Sequence, residues 1–389
     1  MILVLVFGVV LSAATLVSER ARQTILSTSV MFLVAGFLVG RGAFDWVRLE
    51  PRQHVVETFA ELALFSILFV DGAQLRLHDL RRAWRLPGRA LLFGLPLTLF
   101  GIAAAAHYIL HRDWIESLLI GAILSPTDPV FSAAILEHES VPWRLRRLLT
   151  VESGLNDGLA LPIVLVLIRM AGHEPLHPLI YVADTAGGIV LGIAVAYAFL
   201  WLERQQLFAA SARYRPLGGL GIAATVWGLS NVLGTNQFLA AFAAGMTLVT
   251  VQPDFARDFL KLGGPAAEAF KLAALLAFGS ILDFDRLLAP GWSGLLVAGL
   301  TLLAARPAAL LFALFRSGLS RTEWLAAAWF GPKGFASVLY ALIMLHAGIP
   351  YGIALFEEIA LVTTISIVVH SSTDVFVARW FMTEEREAG

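Results

Sequence analysis

Apolar runs of about 20 residues, the length a helix needs to cross the hydrocarbon of a bilayer, succeed one another along nearly the whole chain. They lie near 2–17, 25–40, 55–75, 88–110, 114–137, 146–171, 179–202, 217–232, 236–250, 263–282, 291–314, 322–346 and 353–381, with the eighth and ninth short enough to be one hairpin. Hydrophobic residues make up 58% and charged residues 15% of the sequence, against about 45–50% and 25% in soluble domains. Mean hydropathy is +0.77. The expected fold is an all-α polytopic membrane protein of about thirteen transmembrane helices, with no soluble domain outside them. The first run has no basic start and no Ala-x-Ala cleavage site, so it reads as a span rather than a removed signal. No cysteine is present, which excludes disulfides and thiolate metal sites. No nucleotide-binding loop occurs, so an ion gradient rather than ATP is the expected driving force. Neither a cofactor, a nucleic-acid partner nor an enzymatic activity is expected.

Basic residues segregate when these spans are laid alternately across a membrane. One side receives Arg20, Arg22, Arg76, Arg81, Arg82, Arg85, Arg89, Arg144, Arg146, Arg147 and most later Arg and Lys residues. The other receives only Arg41, Arg48, Arg52, Arg112, Arg169 and Arg286. The positive-inside rule makes the first side cytoplasmic, with the N-terminus outside and the C-terminus inside a cell membrane.

Two spans are interrupted. Counted as six, a seventh and six more, the fifth of the first set carries Ser125-Pro126-Thr127-Asp128-Pro129 and the fifth of the last set Gly331-Pro332-Lys333-Gly334. Paired Gly/Pro breaks at corresponding places point to a six-plus-six inverted repeat whose discontinuous helices 5 and 12 cross near the midplane. Proline lacks an N–H and its ring clashes with the carbonyl four residues back, so Ala122 and Ser125 should lose helical partners. Free carbonyls and the Asp128 carboxylate then face one cavity. Such hard oxygens suit a small alkali cation rather than a transition metal. The competing reading is a kink whose polar groups merely satisfy one another.

Span six carries Glu152-Ser153-Gly154-Leu155-Asn156-Asp157-Gly158 inside apolar sequence. Positions four apart share a helix face, so Ser153 and Asp157 form one pair and Glu152 and Asn156 another, about a quarter-turn away. Ser153 and Asp157 are expected to look toward Asp128 and bind the ion. Glu152 and Asn156 are expected to form a buried brace that needs a cation, because an unpaired buried carboxylate would simply protonate. Arg306, followed by Pro307 in span eleven, is the best candidate; the alternative is that Glu152 lies in water at a helix end. Asp71 ends span three, where it could supply another oxygen or merely be a solvated terminus beside Arg76. Lys333 should neutralise half-helix C-termini or a carboxylate, unless it snorkels to the interface. Glu61 and Lys271 fall inside spans without a nameable partner, and Glu357 and Glu358 at the start of the last span should be wet. His107, His346 and His370 show no ligand spacing, and His138-Glu139 lacks the second His of a zinc-protease helix.

Taken together, Ser125 to Val130, Glu152 to Gly158, Ala305-Arg306-Pro307 and Gly331 to Gly334 resemble the NhaP/NHE-type branch of the monovalent cation:proton antiporters. The resemblance covers essentially all of the membrane part. It implies a homodimer working by an elevator-like movement, with 1–54 and 179–282 contributing to a dimerisation or scaffold part and 55–178 and 283–389 to an ion-binding core. It implies ion ligands at Asp128, Asp157, Ser153 and the Thr127 carbonyl, with Asp71 where relatives commonly have Glu, and a brace of Glu152, Asn156 and Arg306. Lys333 stands where many relatives carry Arg. The expected activity is exchange of Na+ or Li+ for H+, electroneutral because the Asn156-Asp157 pair offers one carboxylate where electrogenic relatives have two. A potassium/proton antiporter of the same fold is the alternative; a channel or a solute symporter comes next, and an intramembrane aspartyl protease last.

Overall fold

The computed structural model describes the chain except residues 22–27, 51–52, 76–83, 129–140, 174–177, 206–210, 212 and 389. Every regular element among the described residues is helical. Numbered after the spans, these are α1 (Ile2–Ala21), α2 (Thr28–Val39), α3 (His54–Gln74), α4 (Arg85–Ile109), α5 (Trp114–Leu124), α6 (Trp143–Ala171) and α7 (Pro178–Glu203). There follow α8 (Arg215–Leu233), α9 (Gln237–Val251), α10 (Pro253–Ile281), a short unnumbered helix (Phe284–Leu288), α11 (Gly291–Ala313), α12a (Arg321–Trp329), α12b (Phe335–His346) and α13 (Gly352–Ala388). Seven of them, α4, α6, α7, α8, α10, α11 and α13, are long and apolar enough to cross a membrane unaided.

Side-chain caps set several of the boundaries. Asp113 accepts from the N–H groups of Ile115 and Glu116 and so starts α5. Ser320 and Glu323 form a reciprocal capping box on α12a. Asn236 caps α9 directly after Gly234, whose φ of 64° ends α8, so the eighth and ninth spans are two separate helices.

Helices α4 and α11, fourth in their respective halves, share an irregularity. Each widens into a π-helical turn, Ala90–Gly94 in α4 and Thr301–Ala305 in α11. Each then resumes as α-helix with a proline as its second residue, Pro96 and Pro307. A π turn is one residue longer than an α turn and gives the proline ring room where a regular helix would clash with the carbonyl four residues earlier. The two helices pack together, the α-helical part of each against the π turn of the other. This matched pair adds to the inverted repeat inferred from the breaks.

Close packing divides the chain into two units. One comprises Met1–Glu57, Arg85–His173 and Leu272–Gly389; the other comprises Thr58–Trp84 and Glu174–Lys271. The expected partition of 1–54 and 179–282 against 55–178 and 283–389 is a different division, since close packing groups 1–57 with 85–173 and 272–389, and 58–84 with 174–271. In the first unit α2 lies directly on the end of α10, so close that a Cβ at Gly36 would stand 2.2 Å from the Leu276 carbonyl oxygen. In the second unit α3 packs edge-on through Phe65 to Trp227 at 4.9 Å and Phe69 to Phe259 at 5.2 Å. Within that unit α7 and α9 also pack along one another.

Candidate functional site

The site lies in the first unit, where α5, α6, α11, α12a, α12b and α13 bring their polar residues together. Helix α5 stops at Leu124 and the backbone runs non-helical through Pro126, Thr127 and Asp128. Pro129 and Val130 fall outside the described residues. The second break, residues 330–334, separates α12a from α12b. Broken backbone at membrane depth must find partners inside the protein, and here each break supplies them to the other. The Asp128 N–H donates to Pro332 O at 3.0 Å, and the Phe335 N–H donates to Asp128 Oδ2 at 2.9 Å. Ser337 Oγ donates to Ile123 O at 2.8 Å, and Lys333 Nζ to Ser125 O at 3.3 Å. Ala122 O, orphaned by Pro126, accepts from Ser125 Oγ at 3.2 Å.

The charges follow the helix dipoles. Asp128 places its carboxylate on the N-terminus of α12b, where uncompensated N–H groups favour a negative charge. Lys333, fully buried rather than snorkelled, places its ammonium on the C-terminal carbonyls of α5. Each half-helix end thus meets the opposite charge.

Helix α6 supplies the second layer. Ser153 Oγ lies 3.2 Å from Thr127 Oγ1, and Asn156 Nδ2 donates to both Thr127 O, at 3.0 Å, and Thr127 Oγ1, at 2.8 Å. Glu152 pairs with Arg306 through two bonds of 2.6 and 3.0 Å, and Arg306 also donates to Ala327 O. Both partners are buried. Gly331 is required beneath them, because a Cβ there would lie 1.9 Å from Arg306 Cδ. The expected three-residue brace is therefore divided. Glu152 and Arg306 pair with each other, whereas Asn156 donates its amide to Thr127.

Asp157 is buried one turn after Ser153, and its backbone carbonyl accepts from the Tyr340 hydroxyl of α12b at 2.9 Å. Asp71, of intermediate exposure near the end of α3, belongs to the second unit. So does Lys271, which is bonded to Glu268 at 2.8 Å. Glu358 departs from the expectation of a wet residue: it is buried and ion-paired with Arg112 at 2.7 Å, because α13 begins beside the short connection between α4 and α5. The carbonyl of Thr127, the hydroxyls of Thr127 and Ser153 and the carboxylates of Asp128 and Asp157 are the hard oxygens an alkali cation takes as ligands.

Helix α13 contributes residues that the spacing did not single out. Ser366 Oγ accepts the Lys333 backbone N–H at 2.6 Å. The His370 ring lies with Nδ1 3.2 Å from Ser366 Oγ and 2.9 Å from Ser366 O, and with Nε2 3.1 Å from Trp329 O. The Trp329 indole N–H donates to Thr373 Oγ1 at 3.1 Å. Ser366, His370 and Thr373 recur at i, i+4 and i+7, a polar stripe on one helix face that signals a contact without naming its partner.

The chain is 26% identical to the K(+)/H(+) antiporter NhaP of Alkalimonas amylolytica, over 99% of this chain and 68% of that protein. It is also 26% identical to the K(+)/H(+) antiporter NhaP2 of Shewanella sp. (strain MR-4), over 96% of this chain and 66% of that one, so it spans about two thirds of these relatives' length. The fold is similar to that of the sodium proton antiporter MjNhaP1 from Methanocaldococcus jannaschii, with a TM-score of 0.80 at 21% identity over 97% of this chain and 98% of that one. The family described as sodium/hydrogen exchanger, transmembrane, matches residues 6–380, and the chain belongs to that family.

Proposed function

We propose that this protein is a secondary antiporter that exchanges a monovalent cation for a proton through Asp157 on α6. The observation that carries the reading is the pair of hydrogen-bonded breaks, which holds Thr127 and Asp128 beside the Ser153–Asp157 turn with both half-helix ends charge-compensated. Asp157, buried one turn after Ser153, is the carboxylate assigned to exchange proton for cation. A carboxylate kept from water does not stay a bare charge, so it holds either a proton or a cation. Arrival of the cation displaces the proton, and either loaded form carries the same net charge through the rearrangement. Exchange is accordingly one for one and electroneutral. Asp128, Ser153 and the Thr127 carbonyl complete the ligand set on this unit; Asp71 is assigned as a further ligand from the resemblance alone.

Sodium or lithium is the proposed cation. Potassium is a second reading, favoured by the two NhaP relatives whose names give K(+)/H(+) exchange. The protein is placed in the cell membrane with its N-terminus outside and C-terminus inside, as a homodimer, and requires no cofactor. The ion pairs Arg112–Glu358 and Arg144–Glu323 each join ends assigned to one face, which supports the alternation of the spans.

The test is dissipation of a pH gradient in everted vesicles on adding Na+, Li+ or K+ at several pH values. Wild-type protein should collapse the gradient in a saturable way, with half-saturation rising as the pH falls. Asp157→Ala should abolish the response. Full activity of that variant, or half-saturation indifferent to pH, overturns the mechanism.

A further inference from the structure

The second break is a strip of non-helical backbone held from two sides. On one side Pro332 O and the Phe335 N–H grip Asp128, through its own N–H and its carboxylate. On the other, Trp329 O and the Lys333 N–H are held by His370 and Ser366 of α13. These four residues of the strip alternate between the two partners, so the strip cannot shift toward α13 without releasing Asp128. Helix α13 thus governs where an acid of the ion site stands, although it carries none of the ligands assigned above.

The chemistry of the grip is specific to an imidazole. Nε2 faces the acceptor Trp329 O at 3.1 Å, and Nδ1 lies between two atoms of Ser366, the carbonyl at 2.9 Å and Oγ at 3.2 Å. With the hydrogen on Nε2, Nδ1 accepts from Ser366 Oγ–H, and Ser366 Oγ in turn accepts the Lys333 N–H. The result is a chain of three bonds, from Lys333 N–H through Ser366 to His370 and on to Trp329 O, which spans the break and replaces the helical bonds it lacks. His370 is buried, and the Trp329 ring packs against it at 5.3 Å. A histidine serving only to fill space would not need an acceptor and a donor at fixed positions on either side of a gap in the backbone.

We infer that His370, acting through Ser366 and the Trp329–Phe335 strip, is a positioning residue for Asp128 and Lys333, and that cation affinity depends on its two-sided hydrogen bonding. This inference rests on the antiport reading above. Neither residue touches the ion, so their loss should move apparent affinity before maximal rate.

The experiment uses the full chain in proteoliposomes, with transport normalised to folded protein from gel filtration, and titrates Na+, Li+ and K+ in turn. His370→Ala should raise the half-saturating cation concentration about five- to tenfold, the worth of one lost buried hydrogen bond. His370→Gln, which retains an N–H for Trp329 O, should recover most of that loss. Ser366→Ala should weaken affinity similarly, and the double variant Ser366→Ala/His370→Ala should fall short of the sum because both break one chain. The inference is overturned if His370→Ala leaves half-saturation unchanged, if His370→Gln is no better than His370→Ala, or if the two losses simply add. Absence of cation-dependent proton movement in the wild-type protein sinks the antiport reading and this inference with it, whereas a wild-type response that His370→Ala leaves intact sinks this inference alone. Should His370→Ala not fold, Ser366→Ala and His370→Gln decide by the same criteria.

Discussion

At the scale of single residues, the buried Glu152–Arg306 pair is the sharpest test of how the site is held. Removing one member leaves the other buried without its counter-charge, which costs about 3–5 kcal/mol, while replacing both by apolar residues of similar volume is often close to neutral. Glu152→Ala and Arg306→Ala should each lower the melting temperature in detergent markedly, and Glu152→Leu/Arg306→Met should recover much of the loss. Equal melting of the single variants and wild type would contradict the pair's role. Asn156 has a different sensitivity. Because its amide donates twice to Thr127, Asn156→Asp replaces a donor by an acceptor facing a carbonyl and should cost about 1–3 kcal/mol. A lowered melting point together with poorer half-saturation is the expected outcome; an unaltered one would show that the amide is dispensable. The partner of Glu152 was legible in the sequence, because a buried carboxylate in span six demanded a cation and Arg306 stood in mid-span. The duty of Asn156 was not, since helical periodicity assigns a face but not the atoms that face meets.

At the scale of elements, the spans were readable because each needs an uninterrupted apolar stretch, and the breaks because proline and glycine punctuate two of them. What stayed hidden is how elements far apart in sequence complete one another: Ser337 on Ile123, Tyr340 on Asp157, Arg112 on Glu358, and the α13 stripe on the second break. A polar side chain in an apolar run announces that it has a partner and gives no direction to it. The tie between α12b and α6 can be cut with one atom. Tyr340→Phe removes the hydroxyl that holds the Asp157 carbonyl and should weaken apparent cation affinity about three- to tenfold, with little change in melting. Affinity equal to wild type in the vesicle titration would mean that Asp157 is placed by α6 alone.

At the scale of the whole molecule, the proposed orientation can be checked cleanly because the sequence has no cysteine. Arg316 and Tyr351 are both exposed, in the connections between α11 and α12a and between α12b and α13. A thiol-directed, membrane-impermeant reagent should label Tyr351→Cys in intact cells and Arg316→Cys only after permeabilisation; the reverse pattern would invert the topology. Charge counting proposes this alternation, whereas the grouping of helices into packed units depends on close approaches such as Gly36 on Leu276 that hydropathy does not encode. The two π turns were equally invisible, although the prolines that call for them, Pro96 and Pro307, were in plain view. They leave α4 and α11 each one residue out of phase with a regular helix. Deleting a single residue from Thr301–Ala305 would restore ordinary winding and leave everything beyond it facing as before, whereas a deletion within the regular turns Gly291–Leu300 would turn one part of the helix against the other by about 100°. Shortening the exposed connection at 314–320 likewise leaves the facing of Arg306 unchanged, so the molecule's tolerance to lost residues is set by angular phase rather than by length.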